Sequence, residues 1–328
     1  MKIRQPDFDP VPQNAEHSEL GLPPLETKVT RSTASSAGGR RYWLAVTSVL
    51  VVFAAAIWFT QSDPASQSVY APVLAVLRQL FSSPEFWAAV AVGFAAQAID
   101  GALGMAYGIS STTFLLGTGA SPAAASAAVH IAEVFTTGAS GASHLRFGNV
   151  DKKLFWRLVL PGVIGGVTGA YVLTSIDGKL IKPYISAYLL AMGLYILYKA
   201  WRAAKPRQGN LNHAGKLALT GGFVDAVGGG GWGPVVTSTL VGRGNNPRTT
   251  IGTVNTAEFF IALATAGSFA WLSELTHLPL IAGLVFGGLF AAPFAAWLCH
   301  KLAARTLLWM VGGLISALSL FNLWKALA

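Results

Sequence analysis

Apolar runs close to the length needed to cross about 30 Å of hydrocarbon recur along this chain, at 42–60, 87–104, 122–143, 155–175, 181–201, 217–231, 249–272, 278–298 and 306–324. In lipid the backbone must satisfy its own hydrogen bonds, and runs of this length do so as helices. The expected fold is an all-α polytopic membrane protein. The run at 217–231 is short for a full span.

Composition agrees, with 53% hydrophobic and 11% charged residues and a mean hydropathy of +0.52, far from the usual quarter charged. The formal charge of +9 does not mark a nucleic-acid partner, because the basic residues flank apolar runs rather than build a basic domain. They gather at Arg40–Arg41, from Arg146 to Arg157, from Lys199 to Lys216, and at Lys301 with Arg305, and these clusters read as cytoplasmic. A single cysteine, Cys299, excludes an internal disulfide and a cysteine metal cluster. Residues 1–39, rich in Pro, Ser and Glu, read as a disordered cytoplasmic tail. Residues 40–84 read as an uncleaved transmembrane anchor with its connector, since the apolar stretch exceeds a signal-peptide core and no clear cleavage site follows.

The remainder is duplicated at an offset of 125 residues, which pairs Asp100 with Asp225, Pro122 with Pro247 and Glu133 with Glu258. Gly104, Gly108 and Thr112 fall on Gly229, Gly233 and Thr237 in the same register. Glycine-rich apolar sequence aligns easily by chance, but acidic residues and prolines paired in one register do not. The copies occupy 85–203 and 204–328. Each opens with a glycine-broken segment, IDGALGMAYGISSTTFLLGTGASP and VDAVGGGGWGPVVTSTLVGRGNNP. Mid-helix glycine costs about 1 kcal/mol relative to alanine, so each segment is predicted to break into a hairpin of shortened helices, followed by three full spans.

Charge placement predicts that the copies are inverted. The connectors around the first hairpin are poor in Lys and Arg, which puts its ends outside, whereas the second lies beside Lys216, Arg243 and Arg248, which puts its ends inside. With a cytoplasmic N-terminus, the C-terminus then lies outside. Inverted repeats of this kind hold their site near mid-membrane at the repeat interface.

Fresh helix starts are expected after the breaks, at Ser110, Ser111, Thr112 and Thr113 in one copy and at Pro234, with Thr237 and Ser238 beyond it, in the other. Such starts carry free N–H groups and roughly half a positive charge, so two opposed starts form an anion site. Tyr107, Gly108, Trp232 and Gly233 flank the breaks and join these hydroxyls as candidate substrate contacts. Glu133 and Glu258 each lie about 16 Å along helices beginning at Pro122 and Pro247, near the bilayer centre. His130 and Asn255 share their helix faces three residues earlier and are further candidate substrate contacts. A mid-membrane Asp costs about +2.5 to +3.5 kcal/mol, and acidic residues there are rare and commonly functional. Glu133 and Glu258 are therefore candidates to couple protons or sodium, or else pins that hold the hairpins. Asp100 and Asp225, just before the breaks, are placed to accept from freed backbone N–H groups or to act in gating.

Gly228, Gly230 and Gly233 match a dinucleotide fingerprint, but no strand or soluble βαβ unit surrounds them, so that reading is rejected. No nucleophile elbow, zinc-protease or Walker sequence occurs, and neither an enzyme activity nor a cofactor is expected.

The duplicated breaks IDGALGMAYG and VDAVGGGGWG, with the spaced prolines and mid-helix polar positions that follow, resemble the sulfite exporter TauE/SafE family of membrane permeases over about 85–328. Met105 and Tyr107 stand where members usually carry glycine. The resemblance implies movement of a small sulfur-containing anion, such as sulfite or an organosulfonate, across the cytoplasmic membrane, commonly outward. A passive anion channel, or uptake of a related organic anion, stays open on the same scaffold, as does a homodimer.

Overall fold

The computed structural model describes residues 75–146, 148–202, 211–273, 277–301 and 304–327. The expected tail at 1–39 and the anchor run at 42–60 lie outside the described residues. Every regular element among the described residues is helical. The first half contains α1 (Pro84–Leu103), α2 (Tyr107–Thr118), α3 (Pro122–Arg146), α4 (Lys152–Thr174) and α5 (Gly178–Trp201). The second contains α6 (Ala214–Gly228), a π-helical turn (Gly233–Thr237), α7 (Ser238–Gly242), α8 (Pro247–Leu272), α9 (Leu278–Lys301) and α10 (Ala304–Leu327).

Local chemistry sets the starts. Asp151 caps α4 by accepting from Lys153 and Leu154 N–H at 2.8 and 3.0 Å, Asp177 caps α5, and Asn246 caps α8 just before Pro247. α3 and α8 begin at the two prolines that are 125 residues apart. α4, α5 and residues 308–327 of α10 are each long and apolar enough to cross a membrane. α3 and α8, with 25 and 26 residues, have the length but carry buried polar side chains.

Helices pack across the halves. α1 lies on α9 and α4 on α6, while α3 meets α8 and α5 meets α10. On the α4–α6 seam Gly162 meets Gly222, and Gly169 meets Phe223 and Ala226, so the two helices run the same way. Counterparts run oppositely: Gly138 of α3 faces Phe259 and Gly141 faces Thr256, and on the other pair Gly193 faces Ser316 while Leu197 faces Gly312. Small residues at these crossings let the backbones approach closely, which strengthens packing where no water-driven burial operates.

Polarity is arranged inside out. Ser126, His130, Glu133 and Thr137, at helical spacing on one face of α3, are buried, whereas Trp156, Leu160, Ile164, Tyr171 and Leu180 are exposed. Trp87, Trp156, Trp201 and Trp324 are exposed near run ends, as an interfacial belt places them. Trp232 is fully buried at the second break.

Candidate functional site

Each break is built around an aspartate. α1 ends at Gly104 in the left-handed conformation (φ +67°), and α6 ends likewise at Gly229 (φ +66°). The chain folds back within a few residues, and Asp100 Oδ1 accepts from Tyr107 N–H at 3.3 Å while Asp225 Oδ1 accepts from Trp232 N–H at 2.9 Å. The two carboxylates thus each meet a backbone donor just beyond their breaks, at positions 125 residues apart.

The breaks cross at backbone contact. A Cβ on Gly108 would meet the Gly230 Cα and the Glu133 side chain, each at 2.8 Å, and one on Gly233 would meet the Met105 Cα at 3.0 Å. Thr112 Oγ1 donates to the Gly229 carbonyl and Tyr188 O–H donates to the Gly230 carbonyl at 3.0 Å, tying the second break to α2 and α5. Both crossing strands need residues without side chains at contact, which is why Gly108 and Gly230 (φ +146°) sit there.

One narrow cavity lies at the crossing. It is lined by Tyr107, Gly108, Trp232 and Gly233 with Asp100, Glu133, Asp225 and Glu258, and has room for about one water molecule. No Lys or Arg is among its described lining residues. Glu133 is 3% exposed, and its Oε2 has no hydrogen-bond partner among the described residues. His130 Nδ1 lies 2.8 Å from the Ser126 carbonyl, which can only accept, so Nδ1 carries its hydrogen. The 3.2 Å contact of His130 Nε2 with Asp225 Oδ2 therefore holds one further proton, on the ring or on the carboxyl. His130, Glu133 and Asp225 place ligand atoms within 4.8 Å of one another, a set able to hold a proton or a cation.

The other predicted contacts stand back from the cavity. Ser111 and Thr112 are buried in α2, and Ser110 is half-buried. Thr237 is buried, its hydroxyl without a partner among the described residues, and Ser238 lies beside Met105 and Lys199. Asn255 donates to Ser140 Oγ at 3.1 Å, unlike its counterpart His130.

Two expectations about the starts are corrected. α2 begins at Tyr107 rather than at Ser110, because Asp100 holds the Tyr107 N–H, and its N-cap is Ala106 at φ 109° without a side-chain cap. The second start is a π turn rather than an α-helix. Pro234 supplies no N–H to its first turn, and Ser238 N–H reaches back to the Gly233 carbonyl.

Residues 89–321 match the family described as Sulfite exporter TauE/SafE. The chain belongs to that family. It is 47% identical over 249 residues to the "Probable membrane transporter protein YtnM" of Bacillus subtilis (strain 168), covering 72% of this chain and 82% of the relative. No solved structure matches the chain.

As a TauE/SafE protein it is a multi-pass membrane transporter. Sequence reasoning missed several groups in its centre. Thr136 and Thr137, which line the cavity, follow Glu133 by one turn, and that spacing was their available signal. Met105 and Ala106 also line it, and Lys199 stands behind Met105. A lysine that opens a basic cluster at a helix end reads in one dimension as a topology marker.

Proposed function

We propose that this TauE/SafE protein is a secondary transporter that carries a small sulfur oxyanion, sulfite or an organosulfonate, outward across the cytoplasmic membrane together with a proton. The observation that carries the reading is the pair of opposed breaks enclosing one cavity with four carboxyl groups, Asp100, Glu133, Asp225 and Glu258. Two like charges 4 Å apart repel by about 4 kcal/mol at an effective dielectric of about 20. An anion therefore loads beside Tyr107–Gly108 and Trp232–Gly233 when these carboxyls carry protons, and proton and anion travel together. A sulfite dianion with one proton moves one net negative charge, which an inside-negative potential drives outward with about 2.3 kcal/mol per 100 mV.

A cavity with room for about one water is too small for sulfite, so loading requires the two breaks to part. Counterpart helices that meet antiparallel, with α4 and α6 running together, form the pattern expected of inverted halves at 85–203 and 204–328. In this reading rocking of one half against the other exposes the site to each side in turn, with the N-terminus cytoplasmic and the C-terminus outside.

Purified protein in liposomes, assayed with labelled sulfite and sulfonates under imposed pH and sodium gradients, tests the reading. Saturable flux that accelerates when the loading side is made acidic supports it. Absence of flux for every sulfur anion under every gradient overturns it, and flux indifferent to any gradient assigns a passive channel instead.

A further inference from the structure

Lys199, on α5, stands one layer behind the cavity. Its Nζ lies 3.3 Å from Ser238 Oγ and 3.7 Å from Met105 Sδ, and Ser238 Oγ lies 3.6 Å from the same sulfur. Met105 lines the cavity. Tyr195 lies one turn earlier on the same face of α5, near the same Ser238. No carboxylate lies within ion-pairing distance of Lys199 among the described residues. Lysines near helix ends commonly snorkel into the interface. This one, half-buried in the last turn of α5, instead points at a neutral hydroxyl and a thioether, and a basic group turned inward in a membrane protein commonly marks a ligand site or a pathway.

The duplication supplies no second copy. Trp324 occupies the position that repeats Lys199, and it is exposed. Thr113 repeats Ser238 and donates to its own helix at the Ile109 carbonyl, at 2.7 Å, while Gly230 repeats Met105. The repeat-related positions therefore differ in chemistry, Lys199, Ser238 and Met105 in one case and Trp324, Thr113 and Gly230 in the other.

We propose that Lys199 and Ser238 form an oxyanion-selecting access site on one face of the transporter, an inference that rests on the anion-transport reading above. The ammonium receives a sulfite or sulfonate oxygen, the Ser238 hydroxyl donates to another, and Met105, with its three rotatable bonds, separates this outer site from the central cavity until it moves aside. The outer site attracts the anion while the inner carboxyls still repel it, so selection precedes proton-linked loading.

Labelled sulfite transport by wild type, Lys199→Gln, Lys199→Met and Lys199→Arg, reconstituted in one orientation and assayed from each face, tests the assignment. Gln and Met are expected to raise the half-saturation concentration roughly tenfold to a hundredfold from one face alone, with the maximal rate nearly kept. Arg is expected to restore most of the affinity. Half-saturation unchanged at both faces in Gln or Met overturns the assignment while leaving the transport reading intact. A wild-type protein that moves no sulfur anion overturns both. Should the Gln variant fail to give monodisperse protein, Met, which keeps the apolar stem, and Arg, which keeps the charge, decide the matter by the same comparison.

Discussion

His130 Nε2 lies 3.2 Å from Asp225 Oδ2, joining a helix of the first half to the carboxylate that holds the second break. The same carboxylate accepts from Trp232 N–H through its other oxygen, so one side chain fixes the break locally and anchors it to the opposite half. Among the described residues the first break shows no such second link. The counterpart of His130 is Asn255, which bonds Ser140 rather than Asp100.

That link predicts an unequal response to substitution. His130→Ala leaves Asp225 buried with its inter-half partner removed, a change that destabilises by about 3 kcal/mol or more in comparable buried pairs. His130→Asn, which keeps a donor, is expected to lose less. Thermal unfolding of the two variants in one detergent measures the difference, and equal losses would show that the contact contributes no stability of its own.

Glu133→Gln removes a titratable group with little change of shape, at a site 3% exposed. In the proton-coupled reading, wild-type sulfite flux falls as the loading side is made alkaline and the cavity carboxyls ionise. The Gln variant should sustain flux to higher pH, since one source of repulsion is gone. Initial rates across a pH series report this directly. An unchanged profile would make Glu133 a packing group and leave coupling to Asp100, Asp225 or Glu258.

At the crossing, Gly230→Ala places a methyl group against the Gly108 and Ile109 backbone at a φ of +146°. The strained backbone alone costs about 1 to 3 kcal/mol, and the clash adds to it. Gly242→Ala is the control, because nothing lies within 4 Å of where its methyl group would stand and it closes α7. It is expected to be neutral or stabilising by up to about 1 kcal/mol. Folded yield and melting temperature, compared side by side, test both.

Ligand-dependent stabilisation addresses the substrate without needing flux. A ligand that binds only the folded state adds about 2.7 kcal/mol at a hundredfold excess over its Kd. Sulfite, sulfoacetate, taurine and thiosulfate, run against simple carboxylates, should separate, with a sulfur oxyanion giving the largest rise in melting temperature. A uniform response to all of them would count against sulfur selectivity.

The helical class, the break positions and the starts of the helices that carry Glu133 and Glu258 were readable in one dimension. Hydropathy, glycine and proline act on their own stretch of chain, and a duplication shows itself as a fixed offset. The sequence also placed Asp100 and Asp225 where they meet freed backbone donors. It set the α2 start three residues late, because the Asp100 contact that organises the turn spans seven residues. What only the tertiary structure decided is which polar groups face each other: that the breaks touch at Gly108 and Gly230, that His130 finds Asp225 and not Asp100, and that Lys199 turns toward Ser238. A helix pattern specifies which face is polar, but helix crossings choose its neighbours, and small residues on both partners set how close those crossings come.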